Sequence, residues 1–228
     1  RAGLLAAVRP PKPNRPGAGD RRAWGLWFGR VAAIVAVLGI GIAAAYEFSG
    51  DKFTTYTTTV GGHRVVMLAD GSQIELNTDT TVRVNAAGKN RRVELVRGEA
   101  YFQIHHDASH PFSVVVGDHR VVDLGTRFLV RKEPSRIEVS LIEGSARVDT
   151  LSSWRPSQSA LLTPGDVVIA TADSMSLMKR PGTSIADELG WRRGLLVFRD
   201  TTLADAAAEF NRYSTHKIVV ADPATAAL

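Results

Sequence analysis

Residues 24–46 constrain the architecture more than any other part of the chain, because in that stretch Arg30 is the single charged side chain. As an α-helix at ~1.5 Å per residue the stretch is about 34 Å long, enough to cross a hydrocarbon core of ~30 Å. Arg30 lies about two turns in, where its methylenes stay among apolar neighbours while its guanidinium snorkels to the headgroups. Trp24, Trp27, Phe28, Tyr46 and Phe48 flank the two ends as interfacial anchors do. The expected element is one transmembrane helix over 24–46.

Charge sets its direction. The first thirty residues hold seven basic side chains against Asp20, a net of +6, and the whole chain is +5, so everything after Arg30 is −1. The excess lies in a proline-rich tail, residues 1–23, which reads as an extended basic linker. By the positive-inside rule that tail is cytoplasmic and the mass beyond the helix is exported. The same partition argues against nucleic acid as a partner, because a nucleic-acid-binding domain carries its basic excess on the folded part. A cleaved signal peptide is the rival reading of the same stretch, with Ala43 to Ala45 as a peptidase site. Its apolar run is longer than the ~7–15 residues such a segment uses. The chain opens on Arg rather than Met, so residues upstream of it are expected.

No cysteine occurs, which excludes disulfides, thiolate metal sites and thiol nucleophiles. An exported domain must therefore stand on its apolar core, and at roughly 180 residues a chain buries about 70% of its unfolded surface.

Residues 47–182 carry a train of short segments in which apolar and polar side chains alternate: 64–68, 73–77, 82–85, 92–96, 100–105, 112–116, 121–124, 128–131, 137–142, 145–148, 160–163 and 166–170. Period-two alternation is the mark of half-buried strands. Between them lie turn sequences, among them Ala69-Asp70-Gly71-Ser72, Arg97-Gly98-Glu99, Gly117-Asp118, Glu143-Gly144 and Pro164-Gly165-Asp166. The fold class is mainly β: a many-stranded domain built as a sandwich, a jelly roll or a β-helix-like stack. Residues 183–228 change pattern. A short apolar strand over 194–198, a helix capped by Thr202 and Asp205, and a second strand over 217–220 predict a small β-α-β unit. Leu203, Ala206, Ala207 and Phe210 share one face of that helix.

Four blocks carry a resemblance: Leu68-Ala69-Asp70-Gly71-Ser72-Gln73-Ile74-Glu75-Leu76-Asn77, residues 92–102 with Arg97-Gly98-Glu99-Ala100-Tyr101-Phe102, His110-Pro111-Phe112, and Leu124-Gly125-Thr126-Arg127-Phe128-Leu129-Val130. In order and spacing they resemble the FecR family of transmembrane sigma-factor regulators over roughly residues 59–170. Residues 191–228 resemble the start of the small domain that follows in that family, similar to the secretin and TonB short N-terminal fold. The resemblance implies a single-pass protein of the bacterial inner membrane with its C-terminal mass in the periplasm. It implies two partners: an extracytoplasmic-function sigma factor, bound by an N-terminal domain, and the periplasmic signalling domain of a TonB-dependent outer-membrane receptor. The roughly twenty residues before the apolar stretch are too few for that sigma-binding domain, so none of them is assigned the role. Regulated proteolysis would release the sigma factor.

In some members the Leu-Gly-Thr motif breaks between Gly and Thr by an N-to-O acyl shift, and Gly125-Thr126 is the matching bond. The Thr126 hydroxyl would attack the Gly125 carbonyl; a base or structured water is also needed, and Asp123 and His119 are near in sequence but unassigned. The plain alternative is a glycine bulge followed by a strand residue. Beyond this self-cleavage the chain is read as no enzyme, and no cofactor is implied. His105, His106, His110 and Asp107 read as a polar loop rather than a metal site; Asp70 and Glu99 read as turn residues rather than a glycosidase pair. The residues expected to bind the receptor are Leu195, Val197, Phe198, Phe210, Tyr213, Ile218 and Val220, with strand addition as the mode. The alternative function is a membrane-anchored periplasmic β-rich module for an envelope ligand.

Overall fold

The computed structural model describes residues 53–85, 91–123, 125–151 and 157–228. The expected basic linker and the span 24–46 lie outside these residues. Among the described residues no helix is long and apolar enough to cross a membrane.

Thirteen strands form one sheet folded into two layers: β1 (Phe53–Thr57), β2 (Arg64–Met67), β3 (Gln73–Leu76), β4 (Thr81–Asn85), β5 (Arg92–Gln103), β6 (Ser113–Val116), β7 (His119–Asp123), β8 (Arg127–Lys132), β9 (Arg136–Glu143), β10 (Ala146–Thr150), β11 (Ser159–Leu162), β12 (Asp166–Thr171) and β13 (Met175–Lys179). One layer runs β1-β4-β5-β6-β7-β10-β11 and the other β2-β3-β5-β8-β9-β12-β13. Every pairing is antiparallel except β5 with β6. The mainly β class holds, and the two layers of the sheet enclose one shared core.

Strand β5 belongs to both layers, and this corrects the sequence reading. Residues 97–99 were expected to be a turn between two strands; instead the strand runs straight through them. Its first half pairs with β4 and its second half, from Gly98, pairs with β8 and β3. The crossing point is Gly98, at φ +85°. A Cβ there would lie 2.4 Å from Thr80 Oγ1 and 2.6 Å from Thr80 Cα, so the strand corner closes only on glycine. The register slips opposite the Thr81/Val82 step, and the inward positions change from Val93 and Leu95 to Ala100 and Phe102.

The space between the layers is filled by one apolar cluster drawn from both, including Val82, Leu95, Val114 and Val148 on one side and Ile74, Phe102, Phe128 and Leu141 on the other. The Phe102 and Phe128 rings stack at 4.9 Å. Two strands escaped the sequence pattern. β1 is a threonine-rich edge strand whose polarity hid its β propensity, and β13 is an edge strand exposed along most of its length.

The C-terminal region holds α1 (Gly182–Glu188), a 3-10 turn (Leu189–Arg193), α2 (Leu203–Tyr213) and α3 (Pro223–Ala226). α2 is capped as expected: the Asp205 amide donates to Thr202 Oγ1 at 3.1 Å. The two flanking strands are not formed. Residues 194–198 and 217–220 enter no ladder, since no strand lies alongside either among the described residues. The side chain of Asn211 bonds both the N–H and the C=O of Ile218 instead. On α2 only Ala207 is buried, whereas Leu203 and Phe210 stay exposed.

Candidate functional site

Strand alternation sends Glu75, Glu99, Tyr101 and Leu129 to the outer face of the second layer, yet each is at most 5% exposed. The C-terminal region covers them. Tyr101 and Leu129 pack with Trp191, and Ile142, Leu189 and Tyr213 close the edges of that small cluster. Around it lies a ring of ion pairs. Arg192 reaches Glu75 with two hydrogen bonds, Nε to Oε2 at 2.9 Å and Nη2 to Oε1 at 2.5 Å. Its guanidinium also stands 3.7 Å over the Tyr101 ring. Arg212 donates to Glu99 at 2.5 Å and to Glu209 at 2.6 Å, and Arg131 donates to Glu209 at 2.9 Å. Arg180 bridges Glu138 and Glu188, each at 2.5 Å. Two neutral bonds fix the end of α2: Thr78 Oγ1 donates to the Arg212 carbonyl at 3.0 Å, and Asn77 Nδ2 donates to Tyr213 Oη at 2.7 Å.

The electrostatics follow from who shares whom. Burial raises the Glu75 carboxyl, but the bonds and charge of Arg192 outweigh it and hold Glu75 below the ordinary glutamate value. Burial lowers the Arg212 guanidinium, and Glu99 with Glu209 more than reverses that. Glu188 is different: burial and the neighbouring Glu138 raise it, and the one shared guanidinium of Arg180 does not compensate. Burial pushes the Tyr213 phenol up to about 12. Truncating one partner of such a buried pair strands the other, at about 3–5 kcal/mol. The ring thus specifies how the C-terminal region docks on the sandwich.

Of the residues expected to bind a partner, Leu195, Val197, Phe198, Phe210 and Ile218 are exposed and Val220 is half-buried. Phe198 and Phe210 meet at 5.4 Å between ring centres, giving this surface an aromatic centre. Tyr213 turns the other way, into the ring of contacts with the sandwich. A cleft of about 1010 Å³ runs between the two parts, from Arg97 and Glu99 past Trp191 to Phe198. Much of its polar lining is already paired internally, Arg131, Arg180 and Arg212 among it.

Gly125 and Thr126 lie just before β8. Gly125 has φ +104°, and a Cβ on it would fall 2.7 Å from His106 Nδ1. From the other side a Cβ on Gly144 would fall 2.2 Å from the Gly125 carbonyl oxygen and 2.9 Å from Thr126 Cγ2. Thr126 is 4% exposed and its Oγ1 is buried with no hydrogen-bond partner, while its carbonyl accepts from the Ile104 amide at 3.0 Å. His119, near in sequence, sits at the far end of β7 opposite Thr150. The side chain of Asp123 lies outside the described residues.

The histidine loop is held by its own turn: Asp107 takes bonds from Ser109 and contacts His110 at 3.1 Å. Among the described residues no group of three or more His, Asp or Glu side chains is placed to hold a metal. Asp70 and Glu99 are tied to Arg91 and Arg212 respectively. Sequence reasoning missed Glu75, Arg192, Arg212, His106 and Gly144. Glu75 pairs with a residue 117 positions away and Glu99 with one 113 away, a separation no local pattern encodes.

Residues 54–147, from β1 into β10, match the FecR protein family. Two crystal structures of a candidate anti-sigma factor from Parabacteroides distasonis are similar to the chain. The one at 2.50 Å resolution superposes with a TM-score of 0.63 at 26% identity, covering 76% of this chain and 79% of that one. The one at 1.65 Å gives 0.60 at 26% identity, with 70% and 74% covered. No curated protein matches the chain closely enough to count as a relative.

Proposed function

We propose that the chain is a FecR-family regulator of a sigma factor of the extracytoplasmic-function class, a reading that starts from the match of residues 54–147 to that family. The observation that carries this reading is the family match, joined by the anti-sigma description of the neighbours that share its fold. In this reading the span 24–46 anchors the protein in the inner membrane, the basic tail stays in the cytoplasm, and the sandwich and C-terminal region stand in the periplasm.

The signal enters at the exposed apolar surface around Phe198 and Phe210. Segments 194–198 and 217–220 enter no ladder, and strand addition by the signalling domain of a TonB-dependent receptor would use them. Docking there bears on the ion-paired contact with the sandwich, since α2 carries Phe210 on its outward side and Arg212 and Tyr213 on its inward side. Proteolysis completes the relay, and the Gly125-Thr126 bond is its first cut, made by the chain itself. The unpartnered buried hydroxyl of Thr126 beside a glycine at positive φ supports that step. The envelope-ligand alternative has less support, because much of the charged lining of the cleft, Arg131, Arg180 and Arg212 included, is engaged in internal pairs.

The test is purification of the intact protein from membranes of its own cells, followed by mass spectrometry of what accompanies it. An extracytoplasmic-function sigma factor in the wild-type sample is the expected result. Recovery of envelope components with no sigma factor would contradict the reading.

A further inference from the structure

We propose that His106 carries the proton in the breaking of the Gly125-Thr126 bond; the inference rests on the self-cleavage reading and adds the residue that reading lacked. An acyl shift needs the proton of a buried hydroxyl removed and then delivered to a leaving nitrogen. Water has poor access to Thr126, whose Oγ1 is enclosed and bonded to nothing.

The peptide is boxed on two sides. Gly144 presses on the Gly125 carbonyl, so closely that a single added methyl would overlap its oxygen. His106 stands against Gly125 on another side, Nδ1 nearest. His106 itself is exposed, so one edge of its ring meets the enclosed peptide while the residue also reaches solvent. The ring makes no hydrogen bond among the described residues, whereas the His110 ring is held by Asp107 at 3.1 Å. Glu143, beside Gly144, is exposed and paired with Arg127 at 2.9 Å. An imidazole changes charge near neutrality and can both accept and return a proton.

In the step, Thr126 Oγ1 adds to the Gly125 carbonyl carbon while its proton passes to His106. The C–N bond then breaks, and the imidazolium returns that proton to the Thr126 nitrogen. The product is an ester from Gly125 to Thr126 Oγ1 and a free Thr126 amine. One water then hydrolyses the ester, giving the Gly125 carboxyl group and restoring the Thr126 hydroxyl; nothing is oxidised or reduced.

The experiment follows newly made full-length protein in a pulse–chase, with intact mass defining the fragments, for the wild type, Thr126→Ala, His106→Gln and His106→Ala. Thermal melting of each variant checks the fold. The proposal expects fragments meeting at Gly125/Thr126 in the wild type and none in Thr126→Ala. It expects at least a tenfold slower cut in His106→Gln with melting unchanged, and partial recovery of His106→Ala by added imidazole. Wild-type rates in His106→Gln, or slowing that imidazole does not relieve, would reduce His106 to a packing side chain and overturn the proposal while leaving self-cleavage standing. A wild-type chain that stays whole would remove the reaction altogether, overturning both.

Discussion

Gly98 and the Glu75–Arg192 pair show what single residues decide in this molecule. Gly98 lets β5 turn from one layer into the other, and the neighbouring Thr80 backbone leaves no room for a side chain. Gly98→Ala combines left-handed strain, about 1–2 kcal/mol, with overpacking, about 1–3 kcal/mol; chemical denaturation of the β domain should show a loss of about 2–5 kcal/mol. Arg192→Ala leaves the buried Glu75 with only the Gln73 amide at 2.8 Å and His63 at 3.6 Å beside it, and should cost up to about 3–5 kcal/mol by the same measurement. Replacing both Glu75 and Arg192 by Met and Leu should recover most of that loss, which a double-mutant cycle reads directly. At this scale the sequence was only half legible. Gly98 was visible as a glycine in a turn-like triplet, but its task, bending a continuous strand, depends on Thr80 across the corner. Glu75 and Glu99 looked like ordinary polar strand positions because their partners arrive from the far end of the chain.

Strands and helices were the most legible elements. Period-two alternation located the strands of the sandwich because each has one face in a shared core and the other toward solvent or a covering segment. The alternation is silent where that asymmetry is lacking, as in the exposed edge β13 and the threonine-rich β1. The capped start of α2 was readable because the Thr202 side chain and the Asp205 amide are local. Thr202→Ala should cost about 1 kcal/mol, measured as a lower denaturation midpoint. The strands expected on either side of α2 failed for a non-local reason: apolar sequence supplies the propensity, but a ladder needs a neighbour, and among the described residues none stands beside 194–198 or 217–220. That failure leaves Leu195, Val197, Phe198 and Ile218 on the surface.

For the whole molecule, the docking of the C-terminal region on the sandwich links stability to pH in two opposite ways. Glu75 titrates below its ordinary value of 4.5, so it favours the folded state fully above that pH and loses this contribution as pH falls through its depressed value. Glu188 titrates above 4.5, so its contribution is complete below that pH and is lost as pH rises through its raised value. Thermal melts from about pH 7 to about pH 3 should therefore show Glu188→Gln more stable than wild type at neutral pH, and Glu75→Gln with a shallower loss on the acid side. The same docking gives the proposed relay its lever, because α2 joins the exposed aromatic pair to the buried ion pairs. The measurement that bears most directly on the account is sigma-dependent transcription in cells carrying the intact wild-type protein or a Phe198→Asp, Phe210→Asp variant at equal membrane abundance, with the receptor engaged by its ligand. The account predicts that the wild type induces the regulon and the variant does not; equal induction by both would contradict the claim that this surface feeds a sigma factor.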